Sequence, residues 1–301
     1  MIYLHETSTQ ERALVAGDNG PFDLPVNPVS FILIHLRAVI GAIAPSYDDL
    51  MGVLTRIDVR FKGTGIITMS AADLGRLVHT LWGRNLNIEN LNGAAGELIS
   101  WTIPIPFTRK PYWSKEAFPA TRRGEFTIGL TAPGAFTNIT APQVSIEVVE
   151  LLEAEPSQFL KMVTLSRVIV VGDADFELPI GNPFLGMQIF SPTAMGVAPI
   201  SETIRRFRML LDNVEYQIAD TSFDAHRSVG RLRGGDFDAF SAIPSLSRNY
   251  VYGDFDPMLD DSYMIQTEGR ASVRIRMQPD VTGTVRVTPV ELVMLAGGAT
   301  A

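Results

Sequence analysis

The chain contains no cysteine, which removes disulfides, thiolate nucleophiles and thiolate metal ligands together. Histidine is scarce: His5, His35, His79 and His226 are the full set among 301 residues. None lies within five residues of another, so neither an HExxH nor a His-x-His pair arises. The nucleophile-elbow pattern GxSxG and the phosphate-binding patterns GxGxxG and GxxxxGK[ST] are missing too. Gly63-Thr-Gly65 reads as a hairpin turn. Charged residues are only 19% against 46% hydrophobic, a balance that excludes wholesale disorder. Basic residues are outnumbered, 25 against 33 acidic, for a net charge of −8. Such a surface repels duplex nucleic acid and argues against sequence-specific binding to it. The first residues lack the basic flank and apolar core of a signal peptide. The longest apolar stretch, 29–44, is broken by His35 and Arg37, short of the ~20 uncharged residues a spanning helix requires.

What is present is alternation of period two. Segments 55–61, 124–130, 143–151, 213–218, 271–277 and 283–287 alternate apolar with polar side chains, the pattern of half-buried antiparallel strands. Residues 29–36, 64–69 and 162–171 are more continuously apolar and rich in β-branched residues, as interior strands are. Two helices are expected, at 71–82 behind Ser70 as N-cap and at 223–233.

An internal repeat organises these pieces. Phe22-Asp-Leu-Pro25 followed by Asn27-Pro28 matches Phe176-Glu-Leu-Pro179 followed by Asn182-Pro183. Leu74-Gly-Arg-Leu77 matches Val229-Gly-Arg-Leu232, RIDVRF (56–61) matches NVEYQI (213–218), and the strands at 124–134 and 145–152 match those at 269–280 and 286–295. The order of landmarks is kept while the offset drifts only from 155 to about 141. The expected division is an N-terminal segment 1–21, a first sandwich 22–156 and a second 157–301, each with enough strands for two facing sheets. Loops 84–98, 108–123 and 233–262 exceed the usual length, as functional or interface loops do. Between the halves, this alignment sets Lys62 against Asp220 and Gly129-Leu130 against Arg274-Ile275.

Candidate chemistry is confined to a few clusters. Asp254, Asp256, Asp260, Asp261 and Glu268, with Asp236 and Asp238 upstream, are the candidate calcium ligands, since a divalent ion relieves repulsion among hard oxygens. Their spacing is not that of an EF-hand, and a solvated or interface-facing acidic loop is the alternative. Arg122-Arg123 and Arg205-Arg206-Phe207-Arg208 are candidate subunit contacts, the guanidinium fork being suited to interfaces. Paired acids with Trp101, Tyr112, Trp113, Tyr250 and Tyr252 also admit a carbohydrate-binding protein or glycoside hydrolase. A bicupin enzyme is disfavoured by the scattered histidines. His35 reads as a hydrogen-bonded strand residue, and His79 and His226 as structural residues at a similar level of the two helices.

A duplicated, strand-rich chain with a short helix following an early hairpin in each half resembles the double jelly-roll major capsid proteins of tailless icosahedral viruses, especially bacteriophages with an internal membrane. The residues carrying the resemblance are the two Leu-Pro motifs, the helix pieces at 74–77 and 229–232, and the final strand pairs 124–152 and 269–295. The resemblance implies an all-β fold of two tandem eight-stranded jelly rolls with a few short helices. It further implies homotrimeric capsomers without catalysis, a place in the virion shell, and contacts with neighbouring capsomers, penton or spike proteins, minor capsid proteins and an internal membrane. No cofactor is implied beyond the candidate calcium.

Overall fold

The computed structural model describes residues 2–192, 203–234 and 249–295. Two compact units divide the chain, Met1–Val163 with Met294–Ala301, and Thr164–Val293. In the first unit the strands are β1 (Ile2–Ala13), β2 (Gly17–Asp23), β3 (Val29–Ile40), β4 (Arg56–Phe61), β5 (Thr64–Met69), β6 (Asn87–Glu89), β7 (Leu98–Pro106), β8 (Phe126–Ala132), β9 (Ile139–Leu152) and β10 (Gln158–Val163). Helices α1 (Tyr47–Met51) and α2 (Ala71–Trp82) lie between strands. One sheet runs β1-β9-β3-β7-β6 and the other β10-β5-β4-β8-β2. Each has an apolar face. In β3, Ile32, Ile34, Leu36, Ala38 and Ile40 are buried, while Leu33, His35, Arg37 and Val39 are half-buried.

The second unit has β11 (Leu165–Ile169), β12 (Ala174–Glu177), β13 (Phe184–Phe190), β14 (Arg206–Leu211), β15 (Val214–Glu215), β16 (Thr221–Ser222), α3 (Phe223–Gly234), β17 (Tyr250–Asp254), β18 (Val273–Gln278) and β19 (Gly283–Met294). Within this unit β11, β19, β13 and β17 form one sheet, and β12, β18, β14 and β15 the other. A single apolar core joins them, with Phe176, Phe207, Met209, Ile275 and Met277 from the second sheet meeting Ile169, Met187, Ile189, Val251, Val285 and Val287 from the first.

With the short strands β6, β10 and β16 set aside, both units share one pairing order. The first, eighth, third and sixth strands make one sheet, and the second, seventh, fourth and fifth the other, a jelly-roll-like order. Residues 2–13 and 17–23 supply the first two strands of unit 1. The equivalences also explain the sequence repeat. Leu24 and Leu178 each donate a backbone bond to the seventh strand (Phe126 O, 3.0 Å; Val273 O, 2.9 Å). Pro28 and Pro183 each accept one from the eighth (Leu151 N, 2.8 Å; Leu292 N, 2.9 Å). The Leu-Pro…Asn-Pro segment is thus the crossing from one sheet to the other. Its prolines sit where the backbone is extended and no N–H is required.

Several expected matches shift. NVEYQI is not the partner of RIDVRF: only Val214–Glu215 is strand there, and RFRMLL (206–211) is the equivalent of β4. The reason is a two-residue turn. Lys62-Gly63 (φ 50°, 80°) and Asp212-Asn213 (φ 50°, 69°) both close hairpins with two left-handed residues, the geometry whose twist suits paired strands. Lys62 therefore corresponds to Asp212, not Asp220. The run 162–171 is likewise two strands, interrupted at Thr164. Helix α2 begins as expected, with the Ser70 hydroxyl accepting from Asp73 N at 3.1 Å, and ends at Gly83 with φ 63°. Leu74 to Leu77 and Val229 to Leu232 occupy different levels of their helices, and His79 and His226 do so too.

Candidate assembly surfaces

Arg206 and Arg208 alternate with core residues along β14, so they stand on the solvent side of their sheet. Across from them β18 presents Arg274 and Arg276, and the register sets Arg208 directly opposite Arg276. Like charges so placed repel, and flanking acids offset this. Asp175 on β12 accepts from Arg276 Nε (2.6 Å) and Nη2 (2.8 Å) and from Arg274 Nη1 (3.2 Å). Arg206 Nε reaches Asp220 at 3.0 Å, and Arg208 Nη1 reaches Glu215 at 2.8 Å. Of the five arginines singled out by sequence, these two are engaged inside their own unit. Arg122, Arg123 and Arg205 are exposed.

The hydrogen bond from Arg276, ahead of the charges of Arg276 and Arg274, holds the Asp175 carboxyl below the usual carboxylate range. A lowered folded-state pKa contributes stability above the unfolded value, and that contribution is lost as pH falls through the folded one. Asp175→Asn is therefore expected to be less stable than the parent at neutral pH. The gap should close on acidification below ~4, as measured by urea unfolding at a series of pH values.

The corresponding face of unit 1 differs. Asp58 is opposite Gly129 as Arg208 is opposite Arg276, so Gly129 corresponds to Arg276 and not to Arg274. Where the second unit has a long side chain, the first has none. A recess of ≈370 Å³ results, lined by Asp18, Arg56, Asp58, Arg60, Thr127 and Thr131 around Gly129. Asp58, 8% exposed, takes bonds from Arg56, Arg60 and Thr68. Burial works against its charge, but the bonds from Arg60 and Thr68 and the two guanidinium charges outweigh it and lower its pKa.

The acidic residues of 254–268 turn toward their own backbone. Asp254 Oδ1 accepts from Asp256 N, Asp256 Oδ1 from Asp261 N, and Asp260 Oδ1 from Ser262 N, each at 3.0 Å. The Ser262 N–H bond lowers the Asp260 pKa. Glu268 is exposed. Among the described residues no three His, Asp or Glu side chains are grouped to hold a metal ion. Asp236 and Asp238, with the rest of 235–248, lie outside the described residues.

Of the five candidate aromatics for sugar stacking, Tyr112 is exposed and Trp113 is half-buried beneath Arg109 and Lys110. Trp101, Tyr250 and Tyr252 are buried. Tyr112 packs on Tyr3 (5.1 Å between centroids) and Phe31 (5.3 Å). His35 Nδ1 lies 3.1 Å from Thr102 Oγ1. Burial pushes His79 down to about 4, with the Arg76 charge adding to it, and burial also lowers His226. The His79 ring is therefore neutral at pH 7.

A surface feature not anticipated from sequence lies on the first strand of each unit. Ile2, Tyr3 and Leu4 on β1 and Val168, Val170 and Val171 on and beyond β11 are 40–64% exposed. β1 is the open edge of its sheet, and apolar edge strands favour association. The apolar run 162–171 reads as an interior strand, but β11 is exposed at Ser166, Arg167 and Val168, so its C-terminal half is a surface cluster instead.

No protein-family sequence profile and no curated protein matches the chain. Solved structures do. The major capsid protein of Sulfolobus turreted icosahedral virus matches with TM-score 0.71 at 14% identity, over 98% of this chain and 97% of that one. The major capsid protein P2 of bacteriophage PM2 matches with TM-score 0.68 at 10% identity, over 98% and 99%. A chain of the PBCV-1 virus capsid matches with TM-score 0.66 at 10% identity, over 100% and 97%. At these identities the likeness is one of fold: a double jelly-roll arrangement found in major capsid proteins of tailless icosahedral viruses.

Proposed function

We propose that the chain is a major capsid protein, three copies of which form a pseudo-hexameric capsomer of an icosahedral shell. The observation that carries this reading is the end-to-end match, covering 97–99% of two major capsid proteins as well as 98% of this chain. The duplication supports it physically. Two units of one strand order in each chain give six similar edges from three subunits, and a ring of three satisfies every head-to-tail contact. The outward faces of the two units differ, a recess in one and an arginine–acid ladder in the other, so unlike faces are available for such contacts. Exposed Arg122, Arg123 and Arg205, together with the apolar edge residues, are the proposed contact residues. The protein then resides in the virion shell with neighbouring capsomers, spike or penton proteins and an internal membrane as partners.

Light scattering on freshly purified protein is expected to give a trimer or larger particle, and negative-stain microscopy to show hexagonal outlines. A stable monomer at micromolar concentration that binds or hydrolyses a glycan would replace this reading with the carbohydrate one.

A further inference from the structure

The recess of unit 1 lies where the other unit has two side chains. In unit 2 the register sets Arg276 opposite Arg208 on one side and opposite Asp175 on the other, so the position is filled. In unit 1 the residue equivalent to Arg276 is Gly129, opposite Asp58. On its other side the pairing of β2 with β8 skips from Asn19 to Phe22, which puts Gly20 and Pro21 where unit 2 has an aspartate. Nothing steric demands a glycine at 129. It lies in β8 between β4 and β2, its backbone is outside the left-handed region, and a Cβ there would meet nothing nearer than Asp58 O at 4.0 Å. A glycine inside a strand weakens the sheet, and it marks a bulge, a bend or the close approach of a ligand or another backbone. Gly129 is paired in regular register with β4 and no further backbone approaches it, which leaves a ligand.

The walls supply donors that are held in place but not used up. Arg56 and Arg60, with side chains 53% and 50% exposed, both bind Asp58 Oδ2. Arg56 donates through Nη2 (3.1 Å) and Arg60 through Nε (2.7 Å) and Nη2, while Thr68 Oγ1 donates to Oδ1 at 2.7 Å. Arg56 Nε and Nη1 and Arg60 Nη1 are left over. Asp18 spends Oδ1 on Thr131 Oγ1 at 2.7 Å, and the Thr127 hydroxyl makes no hydrogen bond among the described residues. The four charges of the lining, Asp18, Asp58, Arg56 and Arg60, cancel. A phosphate dianion would therefore bring two charges into a neutral cup, and a cation would face two guanidiniums. A monocarboxylate suits the guanidinium donors, and hydroxyls beside it can donate to Asp18 and pair with Thr127. The volume of ≈370 Å³ is at the small end for a ligand pocket, the size for one sugar ring.

We propose that the recess over Gly129 binds a sugar acid, a hydroxylated monocarboxylate of monosaccharide size, with its carboxylate between Arg56 and Arg60 and its hydroxyls toward Asp18 and Thr127. The free acid and the acid at the end of a glycan present the same group to this site. The inference rests on unit 1 alone and stands whether or not the chain builds a shell.

The test is titration of the full chain with glucuronate, followed by ligand-observed NMR. A Kd of about 1 mM is expected, with glucose at least about tenfold weaker. A disaccharide ending in glucuronate separates the two sources: tighter binding than the monosaccharide assigns the glycan end, equal or weaker binding the free acid. Gly129→Val, which places a β-branched side chain on the empty floor, is expected to abolish binding while the urea midpoint holds or rises. Arg60→Gln is expected to weaken glucuronate about tenfold and to leave glucose unchanged. No saturation by glucuronate at about 20 mM, glucose bound as tightly as glucuronate, or parent-like glucuronate binding in either variant would overturn the site.

Discussion

Glu116→Gln is expected to destabilise the first unit by about 3–5 kcal/mol, because it breaks a buried ion pair by removing one of its charges. Arg109 and Glu116 are 2% and 0% exposed at their side chains, in the long segment between β7 and β8. The Glu116 carboxylate accepts from Arg109 N (2.9 Å), Arg109 Nε (2.7 Å), Arg109 Nη2 and Gln158 Nε2 (2.8 Å). The same segment is stitched to β10 through backbone bonds, Ala117 N to Gln158 O at 3.1 Å, Ser157 N to Lys115 O at 3.0 Å and Leu160 N to Phe107 O at 3.0 Å. Losing the charge therefore loosens a tie between a long connection and a strand. At roughly 2–4 °C per kcal/mol the unit's melting temperature should fall on the order of 10 °C. Arg109→Met/Glu116→Gln should recover part of the loss, since it removes both charges of the buried pair. A double-mutant cycle measures the coupling, and losses that simply add would show that the pair is not the source.

How far the fold was legible depends on which interactions write a local pattern. Strands such as β5, 64–69, coincide with their apolar run because alternation and burial are local properties of the chain. The Leu-Pro…Asn-Pro repeat was visible for a structural reason, since both copies cross between sheets and bond the same two strands. The match of 145–152 with 286–295 also held: Glu150 and Glu291 lie opposite Val29 and Phe184 on equivalent strands. The error at 213–218 arose from reading alternation alone, when Asp212-Asn213 was the informative pair and marked a hairpin turn. Helix α1, capped reciprocally by Ser46 and Asp49, was overlooked because five residues carry no period. The arginines of β14 showed as a cluster, but their partners Asp220 and Glu215 are brought to them by pairing across strands. The Arg109–Glu116 pair was invisible for a related reason: a loop charge becomes a core residue only through the packing around it.

Phe118→Ala should cost the first unit about 3–5 kcal/mol, the range for deleting a fully buried aromatic. Phe118 is the hub of a ring cluster, stacked on Phe126 at 4.2 Å and edge-on to Phe159 (4.9 Å) and Phe61 (5.5 Å), with Phe107 at 5.4 Å. These rings come from β4, β8, β10 and the segment leaving β7, so the cavity would open where four parts of the unit meet. The backbone of Phe118 exchanges two bonds with Val29, at 2.8 and 2.9 Å. The second unit repeats this bridge as Phe184 with Ile265, both bonds at 3.0 Å. One phenylalanine serves each bridge, on the loop side in unit 1 and on the strand side in unit 2. Phe118→Ile copies the loop residue of unit 2 but leaves Val29 opposite, so it should be milder than alanine without being neutral. Adding Val29→Phe to Phe118→Ile restores the pairing of the second unit and is expected to regain stability if the two bridges are interchangeable in volume. Chemical denaturation of the three variants gives the order. An alanine variant within ~1 kcal/mol of the parent would show that the ring cluster does not anchor the loop.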